Sequence, residues 1–128
     1  MSLRKKPWNR ISLPVYSICS SDDYGHFNMN ICTYVSAVSM QPKRIMVAVY
    51  HNTKTFQNLQ SKDHFVLQVL SACQYSLVRL LGKTSGKHVD KIKKLENKHE
   101  LITWNGFPVL KNCLAVMELK TIRQMDAG

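Results

Sequence analysis

The sequence has few acidic residues and no long hydrophobic run. Its 128 residues include 8 Asp and Glu against 18 Lys and Arg, which gives a formal net charge of +10. No apolar segment approaches the roughly 20 residues that a membrane-spanning helix needs. The basic N-terminus, MSLRKKPWNR, lacks the apolar core of a secretory signal. We therefore expect a cytoplasmic protein that does not enter a membrane.

Closely spaced metal or disulfide ligands are also absent. The four cysteines, Cys19, Cys32, Cys73 and Cys113, form no C-x-x-C pair, and the five histidines are scattered. Structural zinc sites and disulfide frameworks depend on such spacing. The pattern predicts reduced, mostly buried thiols and no metal site.

The chain carries no obvious catalytic set. It has no carboxylate pair, no Ser/His/Asp arrangement and no G-x-G-x-x-G dinucleotide fingerprint, so no catalytic residue is assigned. It also lacks internal repeats and Gly/Ser linkers. With 45% hydrophobic residues, the length predicts one domain that spans residues 1–128.

The positive charge is concentrated in two clusters. One comprises Arg4, Lys5, Lys6 and Arg10, and the other comprises Lys83, Lys87, Lys91, Lys93, Lys94 and Lys98. The second cluster overlaps an amphipathic helical pattern with Val89, Ile92 and Leu95 on its apolar face. We interpret it as a solvated helix face. The alternative is a surface that attracts a polyanion.

Strand patterns outnumber helical ones. Strands are predicted at 11–19, 28–35, 44–50 and 65–70, and 108–120 forms one long strand or two that meet near Asn112. The run 44–50, RIMVAVY, has the continuous apolar character of a fully buried strand. Short helices are predicted at 56–62, with Thr55 as N-cap, at 75–81, which Gly82 ends, and at 90–97. The fold class is therefore mainly β and antiparallel, with inserted helices.

The segment from Asn30 to Phe56 is the most informative one. It reads NICTYVSAVSMQPKRIMVAVYHNTKTF, in which two β-prone runs flank small hydroxyl residues and a polar cluster follows. Hydroxyl groups and free backbone N–H groups at strand ends suit a ligand with a flat polar ring and an anionic tail.

In its ordered motifs the chain resembles the flavin reductase-like family, whose members are FMN-binding split barrels such as NAD(P)H:flavin oxidoreductases and flavoredoxins. In chain order, these motifs are Tyr24-Gly25, Asn30-Ile31-Cys32-Thr33, Val38-Ser39-Met40-Gln41-Pro42, the strand 44–50, Thr55, the strand 65–70, and the run 81–91. The resemblance covers roughly residues 14–125. It implies hydride transfer from NAD(P)H to flavin, FMN as the cofactor, and a homodimer with the flavin near the subunit interface.

The resemblance also implies which residues bind the cofactor. It places Asn30, Ile31, Cys32 and Thr33 at the edge of the flavin ring. Ser36, Ser39, Lys54 and Thr55 are candidates for the ribityl chain and phosphate, and Thr55 is the strongest because a helix start favours an anion. The polar cluster His51, Asn52 and Thr53 completes the set. Such a site needs little acid or base from the protein, since the cofactor carries the chemistry.

Two departures and one alternative accompany this interpretation. The chain ends at Gly128, where the family usually continues with a Gly-Asp-His turn and a closing strand, so we expect a domain that lacks this C-terminal segment. Gln68 stands where the family often has Asn. The alternative is a small basic β-barrel that binds nucleic acid, although the strands are too continuously apolar for base stacking. The sequence does not choose between NADH and NADPH, nor between FMN as a bound group and FMN as a substrate.

Overall fold

The computed structural model describes Pro7 and residues 11–128. Its strands are β1 (Tyr16–Ser21), β2 (Phe27–Cys32), β3 (Val35–Met40), β4 (Lys43–Val47), β5 (His64–Val69), β6 (Leu101–Trp104), β7 (Phe107–Leu110) and β8 (Ala115–Lys120). Its α-helices are α1 (Lys54–Ser61), α2 (Val78–Lys83) and α3 (Lys91–Asn97), and a 3₁₀ helix, Ala72–Leu77, precedes α2. The prediction of a mainly β fold with inserted helices is confirmed.

The strands form three antiparallel sheets. The largest has the strand order β2-β1-β5-β8, whereas β3 pairs with β4 and β6 pairs with β7. Within the large sheet, Ile18 lies opposite Asn30 on one side and Leu67 on the other. Strand β2 is an edge of this sheet, so one side of its backbone is open to other elements.

Both faces of the large sheet are buried. On one face Cys19, Met29 and Val66 pack with Leu81 and Leu95 from the helices after β5. On the other face Ile18, Phe65 and Leu67 pack with Leu59 of α1. Burial of apolar surface on both faces contributes about 25 cal/mol per Å² and makes this sheet the centre of the fold.

Gln68 joins two of the sheets. Its side chain is fully buried, and its Oε1 accepts a hydrogen bond from the backbone N–H of Leu110 at 2.6 Å. Its Nε2 donates to Sδ of Met29 at 3.5 Å. Gln68, which stands where the resemblance led us to expect Asn, therefore connects β5 to the β6–β7 hairpin.

Several predicted boundaries were wrong. The first strand runs from Tyr16 to Ser21 rather than over 11–19, and the predicted strand 28–35 ends at Cys32, after which a new strand begins at Val35. Segment 44–50 is not a fully buried strand: β4 ends at Val47, and Met46 is 57% exposed. A two-stranded sheet can bury only part of its surface, so an apolar run does not imply full burial there.

The helices also differ in detail. Thr53, not Thr55, is the N-cap of α1, and α2 continues through Gly82 to Lys83. Helix α3 begins at Lys91 with Asp90 as its N-cap, as the pattern predicted within one residue. Segment 108–120 resolves into β7 and β8, which turn near Asn112.

The predictions for the basic clusters have separate outcomes. Arg4, Lys5, Lys6 and Arg10 lie outside the described residues. In the second cluster Lys93, Lys94 and Lys98 are exposed, whereas Lys91 is only 2% exposed, so the solvated-face interpretation was wrong for Lys91.

The cysteine thiols differ in their exposure. Over residues 11–128 the four cysteines are free thiols, of which Cys19 is buried and Cys73 is exposed. None of the described helices is long and apolar enough to cross a bilayer.

Candidate functional site

A cleft of about 130 Å³ opens where the end of β2, the segment after β4 and the first turn of α1 meet. Its wall combines apolar side chains with hydroxyl, amide and backbone groups. The lining residues are Ile18, Asn30, Ile31, Cys32, Thr33, Tyr34, Ala48, Val49, Tyr50, Thr53 and Thr55.

The cleft brings together part of the predicted site. Its lining includes Asn30, Ile31, Cys32 and Thr33 from the end of β2 and Thr53 and Thr55 from the start of α1. These two groups are more than 20 residues apart in the sequence. The pairing of β1 with β2 and the packing of α1 on β1 bring them to one place.

The remaining predicted residues do not line the cleft. Ser36 is exposed on β3 and Ser39 is half-buried there. His51 is exposed, lies 3.6 Å from the Asp126 carboxylate and packs edge-on against Phe56. Lys54 Nζ lies 3.8 Å from Asp22 Oδ2, and Asn52 Oδ1 accepts a hydrogen bond from Lys87 Nζ at 2.9 Å.

The start of α1 is built by two threonines with different roles. Thr53 Oγ1 accepts a hydrogen bond from the Phe56 N–H at 3.1 Å and donates to the Tyr50 carbonyl at 2.8 Å. Thr55 is 1% exposed, and its Oγ1 accepts a hydrogen bond from Asn28 Nδ2 at 3.4 Å. The first turn contains no acidic residue, so its free N–H groups and the helix dipole favour an anion.

The loop between α2 and α3 packs against this helix start. A Cβ atom on Gly86 would overlap Asn28 Oδ1, so any larger residue at this position would force Asn28 to move. The next residue, Lys87, reaches Asn52 through the hydrogen bond given above. The loop thus brings a cation beside the first turn of α1.

Asn30, in the cleft lining, is held by Lys91. Its Nζ donates to the Leu81 carbonyl at 2.9 Å and to Asn30 Oδ1 at 3.3 Å. Burial lowers the pKa of Lys91 from 10.5 to about 8, since desolvation disfavours the charged form. The ammonium remains mostly protonated at neutral pH.

Cys32 contributes shape rather than reactivity. Desolvation raises the pKa of its thiol to about 12. Because the thiolate is the nucleophilic form, this cysteine is inert at neutral pH.

The lining determines what the cleft can do. Among the residues that line it there is no carboxylate and no histidine, so it supplies no general acid or base of that kind. Over residues 11–128, no three His, Cys, Asp or Glu side chains are close enough to hold a metal ion. The cleft combines the apolar side chains of Ile18 and Val49 with amide and hydroxyl groups, which suits a flat ligand that has both apolar and polar parts.

Sequence reasoning missed several residues of this region. Tyr34, Ala48, Val49 and Tyr50 line the cleft, and Asn28 fixes Thr55. Lys87 was visible in the Gly/Ser-rich motif, but nothing near it in the sequence indicates its contact with Asn52. The apolar run 44–50 was a usable signal for Ala48 and Val49, had it been taken as a cleft wall.

Comparison with known proteins places this geometry in context. The family model for the flavin reductase like domain matches residues 8–128. A protein of Nostoc sp. with the provisional name diflavin flavoprotein A 3 is 28% identical over 99 residues, which are 77% of this chain and 17% of that protein. The chain therefore spans less than a fifth of the length of this curated relative.

Solved structures show the same fold. The FMN-binding domain of a flavin reductases-like enzyme from Shewanella baltica OS155 is 25% identical, with a TM-score of 0.74 over 87% of this chain and 58% of that one. An NADH:FAD oxidoreductase from Streptomyces globisporus C-1027 is 19% identical, with a TM-score of 0.77 over 91% of this chain and 66% of that one. The predicted split-barrel fold is confirmed by these likenesses.

Proposed function

Since the chain belongs to the flavin reductase like domain family, we propose that it binds FMN in the cleft and acts as an NAD(P)H-dependent oxidoreductase. The observation that carries the proposal is the meeting of Asn30–Thr33 with Thr53 and Thr55 across one cleft. A flat, polar-edged ring with an anionic tail matches both sides at once. The Shewanella domain is described as FMN-binding, and the Streptomyces enzyme as an NADH:FAD oxidoreductase.

The residues divide into two groups by their chemistry. We assign the segment Asn30–Thr33 to the ring, where amide and backbone groups face apolar Ile18 and Val49. We assign Thr53, Thr55 and the first-turn N–H groups of α1 to the phosphate, because this end of a helix favours negative charge. Lys87 and Lys54 add positive charge near this position.

The other predicted site residues take different roles in this proposal. Asn52 acts through Lys87, whose ammonium it holds. Ser36, Ser39 and His51 lie outside the cleft of one protomer, so we assign them no contact with FMN within that protomer.

When bound, FMN supplies the ability to accept a hydride and pass on electrons. The chain binds and orients the ring, covers one face of it with apolar side chains and supplies positive charge around it. The absence of carboxylates from the lining avoids repulsion of an anionic cofactor.

We also propose that the working form is a homodimer. A cleft of about 130 Å³ is smaller than the roughly 300–1,000 Å³ of typical ligand pockets, so one protomer alone encloses little of a flavin. Beside it the β3–β4 sheet exposes apolar side chains, among them Val38, Met40 and Met46. A two-fold pair that covers this surface would bury apolar area and complete the cleft wall.

A flavin titration tests the proposal. One portion of the purified chain is heated, and any flavin that is released is identified by chromatography. A second, unheated and flavin-free portion is titrated with FMN, FAD and riboflavin while flavin fluorescence is followed. Anaerobic addition of NADH and then of NADPH tests reduction. FMN binding with bleaching of the flavin band supports the function, whereas no binding of any flavin contradicts it. An excess of absorbance at 260 nm that nuclease removes would instead favour the nucleic-acid alternative.

A further inference from the structure

We propose that Lys91 is a positioning residue that fixes the side-chain amide of Asn30, so that Asn30 donates a hydrogen bond to an acceptor atom of the flavin in the cleft. This inference rests on the proposed function, because it takes the ligand to be a flavin. It goes further by assigning a role to a buried cation that lies outside the cleft lining.

The position of Lys91 follows from the edge of the large sheet. Among the described strands, β2 pairs with β1 alone, and α3 packs against β2. Lys91 is the first residue of α3, and its side chain reaches Asn30 while remaining 2% exposed. The Leu81 carbonyl, 2.9 Å from Nζ, holds the ammonium in place from α2.

The chemistry of the contact fixes the orientation of the amide. An ammonium group has three donors and no acceptor, so the atom of Asn30 that faces it must be the carbonyl oxygen. The observed contact, Nζ to Oδ1 at 3.3 Å, agrees. The Nδ2 group is then left as a donor on a residue that lines the cleft, and no residue in the described part of the chain accepts from it.

The charge of Lys91 is not neutralised by a carboxylate. Over residues 11–128 no acidic side chain lies within ion-pair distance of it, and its neighbour Asp90 accepts a hydrogen bond from the Lys93 N–H instead. Burying an unpaired cation costs more than burying a Met of similar length. When a reduced flavin is bound, its negative charge would interact favourably with the Lys91 ammonium and would offset part of that cost.

The test compares variants that separate position from charge. Lys91→Met removes the ammonium, and Lys94→Met, an exposed residue of the same helix, is the matched control. Asn30→Ala removes the Nδ2 donor without adding a charge to the cleft. For each variant, FMN affinity is measured by fluorescence, and the midpoint potential of bound FMN is measured against a reference dye.

The expected results are specific. Lys91→Met weakens binding of oxidised FMN about tenfold and that of the reduced form about a further tenfold, which lowers the midpoint potential by about 30 mV for a two-electron couple. Asn30→Ala weakens oxidised FMN at least as much, and Lys91→Met adds no further loss of affinity for oxidised FMN in that background. Lys94→Met leaves affinity and potential unchanged.

Other outcomes overturn the inference. If Lys91→Met binds FMN with unchanged affinity and potential, the positioning role is wrong while the proposed function stands. If Lys91→Met does not fold, Asn30→Ala decides, and unchanged FMN affinity in that variant rejects the role. If the wild-type chain binds no flavin, the proposed function fails as well, and the wild-type titration alone reveals that case.

Discussion

Thr53 and Thr55 are two positions apart, yet only Thr53 performs the task that the sequence assigned to Thr55. A threonine before a helical pattern is a good N-cap, but two candidates in T-K-T-F cannot be separated by pattern alone. The structure separates them because the Tyr50 carbonyl holds the Thr53 hydroxyl, while Asn28, distant in sequence, holds that of Thr55.

Replacing Thr55 with Val should weaken FMN more than riboflavin. The change removes a hydroxyl that we assign to the phosphate, which riboflavin lacks, and a hydrogen bond to a charged group contributes about 1.5–3 kcal/mol. It also leaves the buried Asn28 amide without an acceptor, at a cost of about 1–3 kcal/mol in the free energy of unfolding. Titrations with both ligands and a urea melt measure the two effects.

Thr55→Ser is the matched control, because it keeps the hydroxyl and should preserve the preference for FMN. Equal losses of FMN and riboflavin in Thr55→Val would show that Thr55 holds Asn28 and has no contact with the phosphate.

Lys91 should give the folded chain a distinctive pH dependence. Burial lowers its pKa from 10.5 to about 8, so between these values the unfolded chain binds more protons at this site than the folded chain. Stability contributed by this site therefore rises as pH increases through that window, by up to about 3 kcal/mol. We expect the free energy of unfolding of the wild type, minus that of Lys91→Met, to increase from pH 8 to pH 10.5.

Urea unfolding at several pH values measures this difference, and subtracting the variant removes the contribution of other titrating groups. A difference that stays constant with pH would mean that Lys91 titrates normally, and one that falls would mean that folding raises its pKa.

At the level of elements, the loop between α2 and α3 depends on a glycine for contact rather than for backbone freedom. Gly86→Ala should destabilise the fold by about 1–3 kcal/mol, because its Cβ would overlap Asn28 Oδ1 and displace the bond to Thr55. In an Asn28→Ala background the same change should cost little. Thermal or urea melts of the four chains give the coupling energy.

Gly82→Ala is the matched control for that cycle. Its Cβ would lie 3.4 Å from Ile31 Cγ2, an ordinary contact, and Ala in a helix is more stable than Gly by about 1 kcal/mol. Similar losses in both glycine variants would argue against the specific contact with Asn28.

The strands were predictable where their neighbours bury both faces. FVLQVL is apolar except for Gln68, and β5 lies between β1 and β8 in the large sheet. The same rule failed for RIMVAVY. Among the described strands β4 pairs with β3 alone, and a two-stranded sheet leaves much of its surface exposed. Strand β6 was missed because LITW is only four residues long.

The candidate site was half predictable for a related reason. Residues Asn30–Thr33 and Thr53–Thr55 stand in recognisable local motifs, so their pattern indicated a binding role. The contacts of Lys91 with Asn30 and of Lys87 with Asn52 span 61 and 35 residues. No local pattern encodes such distances, and lysines in a charged helix are usually solvated.

At the level of the whole molecule, the exposed apolar surface of β3 and β4 predicts self-association. Met40 is 87% exposed, and Met40→Glu should shift a dimer towards monomers because it places a charge in the proposed interface. If a second protomer completes the cleft, the affinity for FMN should also fall in this variant. Sedimentation velocity and an FMN titration on the same samples measure both.

Tyr75→Glu is the control, since Tyr75 is 83% exposed on the 3₁₀ helix and away from that sheet. A wild-type chain that is monomeric at all concentrations and binds FMN equally well when diluted would contradict the dimer.

The most direct test of the central claim is a calorimetric titration of the purified, flavin-free chain with FMN and riboflavin. We expect one FMN to bind per chain, with the ring in the cleft and the phosphate at the start of α1. Riboflavin should bind with a free energy less favourable by about 1.5–3 kcal/mol, because it lacks the phosphate contacts. The absence of heat and of fluorescence quenching with both ligands would contradict flavin binding.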